Sequence, residues 1–400
     1  MAAIEIARGI YSVGATDWNI RDFHGYSTSR GSTYNAYLVV DEKIALVDTV
    51  KKEQVDQLLA NISQIVDPKK IDYMISNHTE MDHSGGLPRI MHRIGESKPL
   101  YVSKMGQKNL SLHFPQAWNY HAVENGETLR LGRRTLTFLE TRMLHWPDSM
   151  FTFDREDGIL FSSDAFGQHY AGPEKFDDEI GDDIMFHAKK YFANILLLYT
   201  EKIRKLLESV TEMGLNFRMI CPDHGIIWRS NPGKIVEAYA RWSRHEPVKK
   251  AVVVYDTMWH STERMAEAIG QGLTDEGVPA RIMSLRHDDR SEVMTEVLDT
   301  GAIVVGSPTL NNNVFPTVMD LLVYMKGLRP KNKIAAAFGS YGWSGESVQH
   351  IQRELAEMKF DLIEPGVRIQ YVPDEKGIGE CLALGRRIGQ AVNRRINEQG

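Results

Sequence analysis

The sequence predicts two domains of mixed α/β class. The first, residues 1–248, is an α+β domain in which strands and helices do not alternate strictly. The second, residues 249–400, is an α/β domain built as a doubly wound parallel sheet of five strands. Three observations lead there. A chain of 400 residues is too long for one ordinary core. The polar, proline-bearing segment WSRHEPVKK (Trp242–Lys250) breaks the chain just before a new apolar run. After that break, five β-rich runs alternate with helical stretches, the pattern of a parallel sheet.

The elements follow in order. STYNAYLVVDEKIALVDT (Ser32–Thr49) reads as a hairpin turning at Asp41-Glu42. KKEQVDQLLANISQIV (Lys51–Val66) carries apolar residues at helical spacing. IDYMISN (Ile71–Asn77) is a short buried strand. TLRLGRRTLTFLETRML and SMFTFDREDGILFSSDAF read as two further hairpins, helical pattern runs from Asp183 to Met213, and strand-like FRMICPDHG follows. Beyond the break the strands are AVVVY (Ala251–Tyr255), RIMSL (Arg281–Leu285), AIVVGS (Ala302–Ser307), KIAAAF (Lys333–Phe338) and RIQYV (Arg368–Val372).

Composition narrows the function. Hydrophobic residues at 42% and charged residues at 25% are ordinary for a water-soluble globular chain. A net charge of −6 gives no footprint for nucleic acid or an anionic membrane. No apolar run reaches the length of a membrane span, and MAAIEIARGIYSVG reads as a first strand, not a signal peptide. Two cysteines, Cys221 and Cys381, cannot build a disulfide framework or a four-cysteine metal site. The expectation is a cytoplasmic protein.

The chemistry-bearing stretch is NHTEMDHSGG (Asn77–Gly86), with four ionisable groups in six residues. If the chain stays extended after its strand, His78, Glu80 and Asp82 point to one side and His83 elsewhere, so one run could serve two neighbouring metal ions. Ser84-Gly85-Gly86 suits a sharp turn with backbone close to the site. Later segments offer the remaining ligands: His145 in MLHWPDS, Asp164 in FSSDAFG and His224 in CPDHG. A carboxylate such as Asp164 can bridge two metals, leaving each ion an open position. Order and spacing resemble the metallo-β-lactamase superfamily, whose usual zinc signature has histidine where this chain has Glu80. A carboxylate there hardens the site and favours iron or manganese over zinc.

In the second domain three loops lie at the carboxyl ends of strands. In a 2-1-3-4-5 sheet the loops after strands 1 and 3 flank the ligand crevice. The first loop is Thr257, Met258, Trp259, His260, Ser261 and Thr262, whose hydroxyls and helix N-terminus suit a phosphate. It lacks the glycines of a Walker loop or Rossmann fingerprint. The second runs Ser307, Pro308, Thr309, Leu310, Asn311 and Asn312; the third runs Ser340, Tyr341, Gly342, Trp343, Ser344 and Gly345. Their polar groups can bond a heterocycle edge, and Trp259, Tyr341 and Trp343 offer faces for a flat ring. These loops resemble the FMN sites of flavodoxins, although DTMWHST lacks the usual Thr-Gly pair.

A metallo-β-lactamase-like αβ/βα sandwich followed by a flavodoxin-like domain resembles the flavodiiron proteins over essentially the whole chain, most closely their rubredoxin:oxygen oxidoreductases. The resemblance rests on HTEMDH, MLHWPDSM, DAFG, CPDHG, Asp256–Thr262, GSPTLNN and FGSYGWSGES. It implies one iron held by His78, Glu80 and His145, a second by Asp82, His224 and His83, and Asp164 between them. It also marks His24 and Tyr26, in DFHGY, as substrate-pocket groups. The implied activity is reduction of dioxygen to water or of nitric oxide to nitrous oxide, at two irons fed by FMN. The implied partners are a rubredoxin-like donor and a second copy, in a head-to-tail homodimer or a dimer of dimers. The rival readings are a zinc hydrolase fused to a flavodoxin module, and an electron carrier with a structural first domain.

Overall fold

The computed structural model describes residues 3–399. The chain divides into two compact units, 1–192 with 199–240, and 193–198 with 241–400. The division falls at residues 240–241, and the sequence reading sets the boundary at residue 248. It falls inside the helix Pro232–Ser243, and a short helical piece of the earlier chain joins the second unit.

The first unit holds two sheets. The larger takes its strands in sequence order: β1 (Ile4–Ala7), β2 (Ile10–Ser12), β3 (Tyr37–Val40), β4 (Ile44–Val47), β5 (Tyr73–Ile75), β6 (Pro99–Ser103) and β7 (Asn119–Val123). Pairing is antiparallel up to β4 and parallel from β4 to β7. The expected hairpin forms between β3 and β4, with Val40 opposite Ile44. Ser32–Tyr34, expected in the same hairpin, pairs with Ala15–Asp17 instead.

Alternation explains why this sheet is buried on both faces. Leu38, Leu46 and Met74 pack with Leu58 and Ile62 of the helix Val55–Ser63 and with Leu87, Ile90 and Met91 of the helix Leu87–Ile94. Tyr37, Val39, Ala45, Val47 and Ile75 face the other way. They meet Leu136, Phe138, Met150, Ile159 and Phe161 of the second sheet. That sheet consists of β8 (Thr128–Arg130), β9 (Thr135–Glu140), β10 (Met150–Asp154), β11 (Ile159–Phe161) and β12 (Met219–Cys221). The result is a sheet-on-sheet sandwich with helices outside.

The second unit is the doubly wound sheet expected. β13 (Val248–Tyr255), β14 (Ala280–Ser284), β15 (Thr300–Gly306) and β16 (Ile334–Tyr341) are all parallel, in the order β14-β13-β15-β16. The fifth position is not one strand. β17 (Asp361–Leu362) and β18 (Val367–Gln370) pair with successive parts of β16. Pro365 between them has no N–H to give a ladder. The strand expected to reach Val372 stops at Gln370, where Tyr371 turns away with φ of 57°.

Candidate functional site

In the first unit the candidate ligands follow strand ends, in loops or, for Asp82 and His83, in a helical turn. Asn77 and His78 follow β5, and Asp48, after β4, fixes them. The Asn77 backbone N–H donates to Asp48 Oδ1 at 2.7 Å and its side-chain amide donates to Oδ2 at 2.6 Å. Thr152 Oγ1 donates to Asn77 Oδ1 at 2.7 Å. After Glu80 the chain does not stay extended as expected. It enters a helical turn, Met81–Ser84. That turn swings Asp82 and His83 together, away from His78 and Glu80. Gly85 and Gly86 are required by crowding, since a Cβ would stand 2.4 Å from the Met81 carbonyl or 2.7 Å from that of Val50.

The side chains converge as two adjoining clusters. In the first, His145 Nε2 lies 3.1 Å from Glu80 Oε2 and 2.8 Å from Asp164 Oδ2, and His78 Nε2 lies 3.7 Å from each of the same oxygens. In the second, Asp82 Oδ2 is 3.0 Å from His83 Nε2 and 3.1 Å from His224 Nε2. Asp164 Oδ1 stands 3.2 Å from His83 Nε2 and 3.7 Å from His224 Nε2. Asp164 thus turns one oxygen to each cluster, and His83, spaced away from the others in sequence, is aimed inward beside Asp82.

The expected pocket residues divide. The hairpin Asp22–Phe23/Tyr26–Ser27 turns through His24 and Gly25, both with positive φ, as a two-residue turn of this hand requires. It delivers His24 Nε2 to 3.1 Å from Glu80 Oε1. Tyr26 is buried one position further on, its ring 5.3 Å from that of His169.

The donor set fits a pair of cations. His78 Nε2, Glu80 Oε2, both Asp82 oxygens and Asp164 Oδ1 are buried without a hydrogen-bond partner among the described residues. Buried lone pairs in such number require positive charge. The far sides of the rings are held. His224 Nδ1 donates to the Thr33 carbonyl at 2.5 Å, which leaves Nε2 as the free lone pair, and His78 Nδ1 bonds Ser163 Oγ at 2.9 Å. Without metal the carboxylates hold protons on the imidazoles. Burial works against charge on His145, yet Asp164 and Glu80 outweigh it and push the imidazole up to about 10. Burial likewise opposes charge on His83, and Asp82 and Asp164 override it, raising His83 well above the ordinary range. Burial would raise Glu80, Asp82 and Asp164, but the surrounding histidines hold all three well below the usual carboxylate range.

The second unit carries a cleft of about 520 Å³ at the carboxyl ends of β13, β15 and β16, within the range of small-molecule sites. Of the residues expected there, Met258, Trp259, Ser261, Pro308 to Asn312 and Ser340 to Ser344 line it. Five expected residues stand behind the wall. Thr262 Oγ1 bonds Ser340 Oγ at 2.9 Å, Ser307 Oγ accepts from the Phe315 N–H at 2.9 Å, and the Thr257 carbonyl accepts from Arg286. His260 turns to Glu263, and Gly345 supplies a φ of 83° against the Tyr341 ring. Trp259 and Trp343 are each 86% exposed at the rim, flat apolar faces open to a planar ligand.

Sequence reasoning did not find Asp48, Ser163, His169, Asp223, Tyr371 or Val372. The last two line the cleft from beyond β18. His169 bonds Ser32 Oγ at 2.7 Å, with its ring 4.7 Å from that of His224. Burial, then His224 and His24, keep it well below the ordinary histidine range. Only Asp223 had a usable signal, as the neighbour of His224 in CPDHG.

A dinuclear cation basin on a β-sandwich and a flavin-sized cleft on a doubly wound sheet define a flavin-linked, metal-dependent oxidoreductase. Comparison with known proteins agrees. Residues 33–225 match the model of the ODP family beta lactamase and residues 253–385 that of flavodoxin. A protein named nitric oxide reductase, from Moorella thermoacetica, is 47% identical over 97% of this chain and 98% of its own. The rubredoxin oxygen:oxidoreductase structure from Desulfovibrio gigas superposes with a TM-score of 0.96 at 42% identity, covering 98% of this chain and 99% of that one. The flavodiiron protein of Giardia intestinalis gives a TM-score of 0.96 at 35% identity, over 100% and 98%. The chain belongs to the flavodiiron proteins and is an oxidoreductase of that type.

Proposed function

We propose that the chain reduces dioxygen to water at two irons, with FMN as the electron store and a rubredoxin-like protein as donor. The observation that carries the reading is Asp164, fully buried, with one oxygen facing each cluster. His78, Glu80 and His145 hold one iron, and Asp82, His83 and His224 the other. Glu80 is the hard ligand that favours iron over zinc. When bound, the irons and FMN supply substrate binding and electrons.

The chain's own residues do the rest. Ser163 and the Thr33 carbonyl fix the imidazoles of His78 and His224 with Nε2 inward. His24, beside Glu80 Oε1, is placed to hold a proton at Nε2 over the open side of the first cluster. Tyr26 and Phe23 shut water from the flank of the basin by packing on His169. In the cleft, the N–H groups at the start of the helix Ser261–Asp275 suit the FMN phosphate. Trp259 and Trp343 suit the ring system.

Two exposed tryptophans at one rim also favour a covering partner, and a head-to-tail homodimer, alone or paired as a dimer of dimers, supplies one. Among the described residues no helix is long and apolar enough to cross a membrane, in keeping with a cytoplasmic place of action.

A second reading, nitric oxide reduction as the main role, is favoured by the name of the Moorella relative. One assay separates them. Protein loaded with iron and FMN is reduced through rubredoxin and given either gas. Faster oxygen consumption without net peroxide supports the first reading, and faster nitrous oxide production supports the second. Turnover of neither gas refutes both.

A further inference from the structure

We infer that Asp223 is a positioning residue shared by the two metal clusters, receiving the Nδ1 hydrogen of His83 and sharing that of His78 with Ser163 Oγ, one imidazole from each. The inference rests on the di-iron reading above. Asp223 is fully buried, and neither of its carboxylate oxygens has a hydrogen-bond partner among the described residues. Its Oδ2 lies 3.9 Å from His78 Nδ1 and 3.9 Å from His83 Nδ1. His83 Nδ1 is itself without a partner. The backbone around Asp223 is fixed on both sides, its N–H donating to the Ser163 carbonyl at 2.8 Å and its carbonyl accepting from Asn35 N–H at 2.7 Å.

A buried carboxylate without donors is costly. A metal-bound imidazole needs an acceptor on its outer nitrogen, which sets its tautomer and strengthens it as a ligand. Here both needs meet in one side chain. A movement of about 1 Å closes each contact to hydrogen-bond length. Because Asp223 faces a histidine of each cluster, it sets the donor strength of both at once. Ser163, which bonds only His78, is the one-sided comparison.

The test uses the full chain loaded with ferrous iron. Wild type, Asp223→Asn, Asp223→Glu and Ser163→Ala are compared by competition with a chelator and by redox titration followed by electron paramagnetic resonance. Asp223→Asn is expected to weaken iron binding about 10–100-fold and to move both reduction steps to higher potential. Ser163→Ala is expected to move one step, and Asp223→Glu to recover part of the loss. Asp223→Asn with wild-type affinity and both potentials unchanged overturns the inference, as does a shift in one step only. Wild type without a mixed-valent signal overturns the di-iron reading itself. Proton NMR of the diferrous wild type provides a check independent of variant folding. An exchangeable, strongly shifted Nδ1–H from His83 supports the inference, and its absence overturns it.

Discussion

Replacing Asp48 by alanine tests whether the metal motif is held from outside. Asp48 accepts two hydrogen bonds from Asn77, at 2.7 and 2.6 Å, and both donors are buried. Leaving a buried donor unsatisfied costs about 1–3 kcal/mol, so losing both acceptors costs roughly 2–6 kcal/mol before relaxation. Asp48 also sits at φ of 58°, where alanine is disfavoured by about 1–2 kcal/mol. Allowing for relaxation, a loss of about 3 kcal/mol lowers the melting temperature of a unit this size by roughly 6–12 °C. Asp48→Asn keeps one acceptor and the backbone geometry, and loses about half as much. Because Asn77 precedes His78, iron affinity falls about tenfold in the alanine variant. Thermal unfolding and chelator competition measure the two effects. An alanine variant that melts with wild type and keeps its iron refutes the reasoning.

Three further outcomes follow from the site. Glu80→His replaces an oxygen ligand by nitrogen, so metal analysis finds zinc in place of iron and reductase turnover is lost; full activity with iron refutes the role of Glu80. Trp343→Ala removes a rim face of the cleft and weakens FMN retention by about 2–12-fold, the equivalent of 0.5–1.5 kcal/mol of ring contact, read by flavin fluorescence on dilution. Metal loading releases protons, since in the metal-free chain Asp164 and Glu80 push His145 up to about 10 and stay ionised themselves. At pH 8 the release from His145 is on the order of one proton per chain. It declines as pH rises through about 10, where His145 is already neutral. An indicator dye in weak buffer follows it, and no release at pH 8 contradicts the assigned ligands.

Much of this was legible because local pattern and tertiary demand agree. Unbroken apolar runs in Tyr37–Val40 and Ile44–Val47 suit strands buried on both faces, and the packing obeys it. The ligand types were legible because metals need particular atoms, and few other uses gather His78, Glu80, Asp82 and His83 in six residues. Their arrangement was not legible from spacing and came only from the family resemblance. The helical turn at Met81–Ser84 carries no strong local signal, and it decides that Asp82 sits with His83 and not with Glu80. Asp48 and Asp223 act across 29 residues and 140 or more, so no spacing rule reaches them. Tyr371 joins the cleft where the chain turns after Gln370, a turn that the run RIQYV does not signal.

The most direct test of the central claim is the content of iron, zinc and FMN per chain in one sample purified without oxygen. The account predicts about two irons and one FMN per chain, with little zinc, from an oxygen-rich donor set of this kind. Zinc filling the basin in place of iron would contradict it, as would a cleft that retains no flavin.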